Sequence, residues 1–393
     1  MKIAILTSGI LPVPAVQGGA VENLVDFYLE YNDRHRLHDI TVYSVWHRDV
    51  EQHPALQSSV NHYKYIKVDS LWGKLKKRFY HLTHKECYYH YHIEYFLHEA
   101  IKHIRRIAYD VIIIENRPGF ALLLKGNTNA KLVYHLHNKK LTFEHHQCRA
   151  IYDAAYRIIT VSDFIKSSVV SINPHDQKTQ TVYNGIDLKA FSVSDIPIDR
   201  KAIGLADDDF VLLFSGRVNE EKGILQLVEA MNTLRDYPHI KLLVIGSSFY
   251  GNADNENPFA QALQKKAASL GGRIQFTGFI PYEQMPSYLA VADVAVIPSV
   301  WDDPFPTTVL EAQAMGLPVI STYRGGIPEE VTEETAILLQ TDNQFVSHLS
   351  NAILDLYQHP EKCEAMGKAA KKHSLLFSKE HYARNFFEAL SLH

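Results

Sequence analysis

The sequence predicts an α/β protein made of two parallel-sheet domains, and three observations support this. Strand-like apolar runs alternate with amphipathic helix-like segments in both halves of the chain, a pattern typical of parallel sheets covered by helices on both faces. The length of 393 residues exceeds what one hydrophobic core usually organises. The polar stretch 191–209 contains Pro197 and an Asp run, which indicates a linker between residues 1–190 and residues 210–375.

Each predicted strand is a short apolar run that ends near polar, Gly or Pro residues. In the first half the predicted strands are Lys2–Thr7, Ile40–Val45, Tyr63–Val68, Val111–Glu115, Leu132–His137, Ile158–Val161 and Thr181–Tyr183. In the second half they are Val211–Ser215, Lys241–Gly246, Ile274–Thr277, Val294–Pro298 and Val319–Ser321. Amphipathic periodicity predicts helices over Ile224–Leu234 and Ala260–Leu270.

Composition excludes several classes of protein. The net charge of −4 argues against a nucleic-acid-binding protein, which needs a basic face. The three cysteines are widely scattered, so a disulfide framework is not expected and a reducing cytoplasm fits. The first strand is too short for a signal peptide, and no apolar run approaches the ~20 residues that span a bilayer. We expect a cytoplasmic protein with at most peripheral contact at the inner face of a membrane.

Residues 72–106 are rich in basic and aromatic side chains, as in Trp72-Gly-Lys-Leu-Lys-Lys-Arg-Phe-Tyr80. Such a mixture suits an anionic membrane surface. It would equally suit an anionic or lipid-linked substrate, or an ordinary solvated helix face. The sequence leaves these three interpretations open.

The most informative segment is 298–321, which places two carboxylates on either side of a strand-to-helix turn. Asp303 lies in the loop after a buried strand, and Glu311 lies about one turn into a helix predicted over Thr307–Met315. In parallel α/β sheets, ligands bind beyond the carboxyl ends of the strands. The amides around Thr307 and Thr308 would form an anion-binding site at the helix N-terminus. Sugar-binding carboxylates beside a phosphate seat predict a nucleotide-sugar site.

The segment Ser215-Gly-Arg-Val-Asn-Glu-Glu-Lys-Gly223 carries two cations at the end of another strand, just before a helix. Arg217 can hold a phosphate through two N–H groups, and Lys222 supplies a compact charge. Together they would stabilise a diphosphate that gains negative charge as a leaving group.

Two weaker signals lie in the first half. Gly18 and Gly19 follow the first strand and precede a helix near Ala20, where glycines allow backbone to approach a ligand. His135 and His137 alternate at the end of another strand and therefore share one face. His137 is the one at the strand end. A buried structural histidine or a His-x-His metal site would also explain this pair.

These motifs resemble those of retaining family 4 glycosyltransferases, which have the two-domain GT-B fold. Asp303 and Glu311 stand at the two acids of the family's acid-x7-Glu motif, and Gly216-Arg217 with Lys222-Gly223 matches its Gly-Arg-x4-Lys-Gly element. Two departures from the family pattern are Asp in place of the first Glu and Pro306 in place of Gly. The shorter Asp side chain and the missing amide of Pro306 would alter the sugar preference or the loop.

The resemblance implies a retaining transfer of a hexosyl unit from a nucleotide-diphosphate sugar, for example one of UDP. The acceptor would be a saccharide, a glycolipid or a cell-surface polymer, as in polysaccharide biosynthesis at the cell envelope. The residues implied in catalysis are His137, Arg217, Lys222 and Asp303. Donor binding would involve Gly18, Gly19, Arg217, Lys222, Gly246, Phe279, Asp303, Pro306, Thr307, Thr308 and Glu311.

The resemblance further implies no catalytic metal and no cofactor besides the nucleotide sugar. It implies that residues 376–393, with a helix over Glu380–Leu390, cross back to the N-terminal domain. A nucleotide-sugar epimerase and a non-catalytic carbohydrate-binding or surface-layer protein of the same fold remain as alternatives.

Overall fold

The structure, a computed structural model, describes residues 1–68, 91–192, 198–246 and 258–391. Contacts divide the chain into two units, Met1–Tyr183 together with Glu380–His393, and Asn184–Lys379. The division lies before the predicted linker 191–209. Phe191 is buried and packs its ring against Tyr282 of the second unit, so the start of that predicted linker belongs to the second unit. Residues 193–197 of the predicted linker lie outside the described residues.

The first unit contains a parallel sheet of seven strands in the order β3-β2-β1-β4-β5-β6-β7. Its strands are β1 (Lys2–Leu6), β2 (Asp39–Val45), β3 (His62–Ile66), β4 (Val111–Glu115), β5 (Lys131–Leu136), β6 (Arg157–Thr160) and β7 (Thr179–Thr181). Its described helices are α1 (Ala20–His35), α2 (Ala55–Ser58), α3 (Tyr91–Ile104), α4 (Ala121–Leu124), α5 (Cys148–Ala154) and α6 (Asp163–Val170).

The second unit contains a parallel sheet of six strands in the order β10-β9-β8-β11-β12-β13. Its strands are β8 (Phe210–Ser215), β9 (Ile240–Ile245), β10 (Ile274–Gly278), β11 (Val294–Val296), β12 (Val319–Thr322) and β13 (Ala336–Leu339). Its described helices are α7 (Ile224–Thr233), α8 (Pro258–Ala268), α9 (Met285–Leu289), α10 (Thr307–Ala314), α11 (Phe345–Gln358) and α12 (Pro360–Ser374).

The central strands explain the continuous apolar runs of the sequence. All five residues of β4 are buried, and in β8 every residue after Phe210 is buried. Strands covered by helices on both faces have no solvent-facing side and therefore show no alternation. The predicted α/β class with two Rossmann-like parallel sheets is confirmed.

The predicted strands all occur, with bounds that shift by one or two residues. The predicted strand Val294–Pro298 is shorter, because β11 ends at Val296 and a proline cannot donate to the ladder. The prediction missed β13. Three of its four residues are only half-buried at the edge of the sheet, so its sequence pattern is weak.

The last helix, α13 (Lys379–Ala389), contributes to the core of the first unit. Tyr382, Ala383 and Phe386 are buried there against Tyr28 of α1 and the strands of the first sheet. Among the described helices, none has the length and apolar character that crossing a bilayer requires.

Candidate functional site

In the second unit, the predicted site residues gather at the carboxyl edge of the sheet. The loop after β8 and the loop after β11 meet there, and the Val300 amide donates to the Glu221 carbonyl at 3.0 Å. The two loops approach closely at Gly223, where a side-chain Cβ would overlap the Pro298 carbonyl. The β8 and β11 motifs, separated by about eighty residues of chain, therefore form one cluster. We call Arg217, Lys222, Asp303 and Glu311 the acid–cation cluster.

At the centre of this cluster, Lys222 Nζ forms an ion pair with Asp303 Oδ2. The two side chains are only 17% and 8% exposed, so water screens the pair weakly. Asn219 caps the short 3₁₀ turn that carries Lys222, and its side chain accepts from the Lys222 amide at 3.2 Å. The sequence assigned the lysine and the aspartate separate roles, and the structure shows them in direct contact.

Arg217 lies at the exposed margin of the cluster. Its Nη2 is 3.7 Å from Glu221 Oε2, with both side chains at least 40% exposed. Exposed pairs of this kind contribute little free energy. The guanidinium can therefore exchange Glu221 for a phosphate with only a small loss of free energy.

Glu311, on α10, is buried like Asp303, at 5% exposure. Burial raises its pKa to about 7, although a hydrogen bond with Thr307 partly opposes this. Helix α10 begins at Thr307 after Pro306, which provides no capping side chain. Uncapped amides at a helix N-terminus attract anions, so the α10 N-terminus, which follows Asp303 closely in the sequence, can hold a phosphate.

Gly246 and Phe279 lie at the same edge, after β9 and β10 respectively. Gly246 has φ 134°, and a Cβ there would overlap the Gly216 carbonyl. The close contact between the Gly246 and Gly216 backbones therefore explains why position 246 is glycine. Phe279 is half-buried and directly follows Gly278, whose carbonyl accepts from the Gly246 amide at 2.9 Å.

Replacing Gly325 with alanine is expected to disturb the acid–cation cluster. Gly325 has φ 58°, and a Cβ there would overlap the backbone of Asp303. We expect a loss of stability, measured by thermal unfolding, and at least a tenfold loss of affinity for the nucleotide that the sequence predicts, measured by calorimetry. Gly271→Ala is the matched control, because its φ of 61° is similar but the space around it is open. Equal effects of the two substitutions would show that backbone strain alone, and not displacement of Asp303, is responsible.

Replacing Glu311 with glutamine is expected to stabilise the protein at alkaline pH. The pKa of Glu311 in the folded protein, about 7, exceeds its ordinary value of 4.5, so the folded state favours the protonated acid. The stability that Glu311 contributes is therefore fully present below pH 4.5 and is lost as the pH rises through 7. Between pH 4.5 and pH 8 the wild type should lose on the order of 3 kcal/mol relative to Glu311→Gln.

The measurement is urea unfolding of both proteins across this pH range. Only the difference between the two proteins is informative, because burial also raises the pKa of Glu22 and of Asp26 in the first unit, to about 7 and about 8. A difference that does not change with pH would contradict the assignment.

In the first unit, the structure places His135 and His137 side by side at the carboxyl end of β5. Their ring centroids are 4.2 Å apart, as the predicted shared face requires. Both rings contact Glu115, the last residue of β4. His135 Nδ1 and His137 Nε2 lie 3.0 and 3.2 Å from Glu115 Oε2, and the Tyr28 hydroxyl donates to Glu115 Oε1 at 2.8 Å. We call these four residues the histidine cluster.

Within the histidine cluster, the carboxylate and the imidazoles shift each other's pKa values. Burial alone would raise the pKa of Glu115, but the charge and hydrogen bonds of His135 and His137 outweigh burial and lower it to about 2. Burial and repulsion by His135 lower the pKa of His137 to about 4, against the attraction of Glu115. At neutral pH Glu115 is thus a carboxylate and His137 a neutral imidazole.

Glu115 and Tyr28 were not predicted as site residues from the sequence. Glu115 stands directly opposite His135 in the register of β4 and β5, so a carboxylate ending an otherwise apolar strand was the available signal. Finding it required the strand order, which sequence periodicity does not provide.

Among the residues that the structure describes, two groups have the composition and spacing of metal ligands. In the first, ligand atoms of Glu115, His135 and His137 lie within 4.8 Å of one another. Hydrogen bonds to Glu115 account for these short distances without an ion. The second group, Asp208, Asp209 and His239, lies mostly at the surface, where exposed acids commonly gather without a metal.

Gly18 and Gly19 have φ 72° and 108° and directly precede α1. These left-handed conformations explain the glycine pair. The Glu22 carboxyl lies so close to Gly19 that a side chain there would overlap it. Burial, with a smaller contribution from the charge of Glu115, raises the pKa of Glu22 to about 7. The loop thus lies beside buried acids of the first unit. Most of the predicted basic-aromatic stretch 72–106, namely residues 72–90, lies outside the described residues.

Comparisons with known proteins agree with this architecture. The model of Glycosyltransferase Family 4 matches residues 21–190, and the model of Glycosyl transferases group 1 matches residues 195–373. YtcC of Bacillus subtilis, provisionally named a glycosyltransferase, is 30% identical over 98% of this chain and 90% of its own. Spore coat protein SA of the same bacterium is 28% identical over 95% of this chain and 94% of its own.

Among solved structures, HepE of Anabaena in complex with UDP-glucose has a TM-score of 0.74 at 21% identity, and the match covers 99% of both chains. At this identity the likeness concerns the fold, which is GT-B. With the matches to both family models and to YtcC, it establishes that the chain belongs to the group 1, family 4 glycosyltransferases.

Proposed function

We propose that this protein is a retaining hexosyltransferase that uses a nucleotide-diphosphate sugar, with UDP as the nucleotide. The acceptor in this proposal is a saccharide, a glycolipid or a cell-surface polymer. The observation that supports it most is the weakly screened Lys222–Asp303 pair beside the uncapped N-terminus of α10. A phosphate-binding site, formed by Lys222 and the amides of α10, and a sugar-binding carboxylate, Asp303, would thereby belong to one cluster.

On the donor side, Lys222, Arg217 and the amides of Thr307 and Thr308 would stabilise the departing diphosphate. Such groups accelerate transfer because they meet charge that develops only as the sugar bond breaks. Asp303 would bind hydroxyls of the sugar, and Glu311 would bind the ribose hydroxyls. Before the donor binds, the ion pair with Asp303 holds Lys222 in position. When a phosphate binds, Lys222 can contact both the phosphate and Asp303.

On the acceptor side, His137 and the Gly18-Gly19 loop belong to the first unit. In this proposal the acceptor hydroxyl attacks on the face from which the diphosphate leaves, and a leaving phosphate oxygen takes its proton. The transfer thereby retains the anomeric configuration without a protein base or a catalytic metal. The protein would act in the cytoplasm on envelope polysaccharide or its precursors, with peripheral contact at a membrane surface.

The names of similar proteins support two candidate functions. Complexes of HepE with UDP and with UDP-glucose support a UDP-sugar donor. The name spore coat protein SA, carried by a relative that matches nearly the whole chain, supports a second candidate, a non-catalytic structural protein of the same fold. The intact acid–cation cluster favours the enzyme.

Calorimetric titration with UDP, GDP and ADP, first without and then with magnesium, tests the proposal. We expect UDP to bind without magnesium and Arg217→Ala to weaken binding at least tenfold. Arg384→Ala, an exposed arginine in the first unit, is the matched control and should bind normally. Failure of all three nucleotides to bind would favour the non-catalytic candidate, and a clear preference for GDP or ADP would replace the assignment of UDP.

A further inference from the structure

The histidine cluster contains a buried carboxylate whose oxygens face three potential donors. Glu115 is completely buried, and its Oε1 accepts from Tyr28 while its Oε2 lies beside ring nitrogens of His135 and His137. Replacing a buried charge together with its hydrogen-bonding partners by well-packed apolar groups of similar volume often leaves stability unchanged or raises it. The charged group at the end of β4 thus suggests a role other than packing.

The carboxylate restricts the protonation of His137. An ionised carboxylate only accepts hydrogen bonds, so the imidazole nitrogen that faces it must carry hydrogen. His137 Nε2 lies 3.2 Å from Glu115 Oε2 and 3.3 Å from His135 Nδ1, which is itself 3.0 Å from the same carboxylate oxygen. A proton on His137 Nε2 gives the carboxylate a second charge-assisted hydrogen bond, whereas a proton on Nδ1 would leave Nε2 only as an acceptor for His135. In the neutral state of His137, which its lowered pKa supports, the proton on Nε2 leaves Nδ1 without hydrogen.

The remaining ring nitrogen of His137 is directed away from Glu115, because the two nitrogens of an imidazole diverge. Nδ1 forms no hydrogen bond with any described residue, and the His137 side chain is 7% exposed. The backbone of His137 is held as well, since its amide donates to Asn116 Oδ1 at 3.2 Å. The ring thus presents a fixed lone pair at the carboxyl end of β5, the edge at which parallel sheets bind ligands.

We propose that Glu115 is a positioning residue which, with Tyr28 and His135, holds His137 in the Nε2–H tautomer. The Nδ1 lone pair of His137 then accepts a hydrogen bond from a hydroxyl of the transferred sugar or of the acceptor. The carboxylate–histidine pair fixes the tautomer much as such pairs do for metal-binding histidines. This inference rests on the proposed function for the identity of the ligand, but the tautomer itself does not depend on it.

Nitrogen-15 NMR of protein labelled at histidine tests the tautomer directly. The chain has 22 histidines, and the signals of His137 are those that disappear in His137→Asn. We expect the wild type to show the Nε2–H pattern and Glu115→Gln to show a mixture of tautomers, because an amide cannot accept from all three donors. Glu99→Gln, an acid of α3 in the same unit, is the control and should resemble the wild type.

Nδ1–H signals in the wild type would overturn the proposal, as would an unchanged His137 spectrum in folded Glu115→Gln. If that variant does not fold, the wild-type spectrum still decides, and Glu115→Asp, which keeps the charge but shortens the side chain, replaces it. Stoichiometric zinc in the purified protein would also overturn the proposal, because bound metal would replace the protons between these groups.

The kinetic readout separates this inference from the proposed function. In Glu115→Gln, kcat should fall about 10- to 100-fold, the range found for partners that orient metal-binding histidines. UDP affinity should not change, because the residues proposed to hold the diphosphate and the ribose belong to the second unit. A wild type without transfer activity but with the Nε2–H tautomer would refute the proposed function and leave the positioning role of Glu115 intact.

Discussion

Lys222→Ala is expected to reduce sugar transfer about 100- to 1,000-fold, the usual effect of removing a group that stabilises charge in a transition state. The loss should appear mainly in kcat, because the leaving diphosphate gains its charge as the bond to the sugar breaks. Steady-state kinetics with the donor identified by calorimetry would measure it. Transfer at the wild-type rate would remove Lys222 from the proposed mechanism.

The same substitution should also destabilise the second unit. It leaves Asp303, at 8% side-chain exposure, without its cation. Glu330 is nearby and completely buried, and burial together with the charge of Asp303 raises its pKa well above the usual range. Breaking a buried ion pair by removing one partner typically costs about 3 kcal/mol or more. Urea unfolding should show a loss of this size.

Lys266→Ala is the matched control for stability. Lys266 pairs with Glu229 at 2.5 Å in the same unit, but both side chains are about 40% exposed. An exposed pair contributes up to about 1 kcal/mol. If the Lys222 and Lys266 substitutions had equal effects, burial would not be what makes the Lys222–Asp303 pair important.

The double variant Lys222→Ala with Asp303→Ala distinguishes stability from catalysis. Removing the unpaired carboxylate should restore part of the lost stability, because no uncompensated charge remains. Transfer should not recover, since both proposed ligand contacts are missing. Recovery of transfer together with stability would mean that Lys222→Ala acts only through folding.

Local patterns in the sequence were sufficient to predict every described strand except β13 and to single out the residues of the acid–cation cluster. Apolar runs such as Val111–Glu115 identify buried strands, and the carboxyl ends of parallel strands lie at one edge. Asp303 and Glu311 are eight residues apart, so a turn and a helix suffice to place them. Their roles came from resemblance to a family and remain predictions.

Contacts between residues distant in sequence were not predictable from such patterns. The Glu115 and His135 side chains meet because β4 and β5 are neighbours in register, and Tyr28 reaches Glu115 from α1. The pairing of Lys222 with Asp303 depends on the approach of two loops, which Gly223 permits. Each contact requires the three-dimensional arrangement of elements that sequence periodicity leaves undetermined.

Phe386→Ala is expected to destabilise the first unit by about 3–5 kcal/mol, the usual range for truncating a buried phenylalanine. Phe386 lies on α13, is completely buried, and stacks on Tyr28 with ring centroids 4.3 Å apart and planes 4° from parallel. Its ring also lies 5.0 Å from that of His135. Truncation would leave a cavity against the histidine cluster.

Two units can unfold separately, so a single unfolding midpoint would not locate this loss. Hydrogen exchange measured on peptides does locate it, and we expect faster exchange in α1, β1 and α13 with little change in β8–β13. Arg384→Ala, at an exposed position of the same helix, is the control and should change stability by less than about 0.5 kcal/mol.

Because the cavity would free Tyr28 and His135 to move, transfer should also fall while UDP affinity stays constant. Loss of UDP affinity in Phe386→Ala would show instead that the last helix supports the nucleotide-binding residues of the second unit.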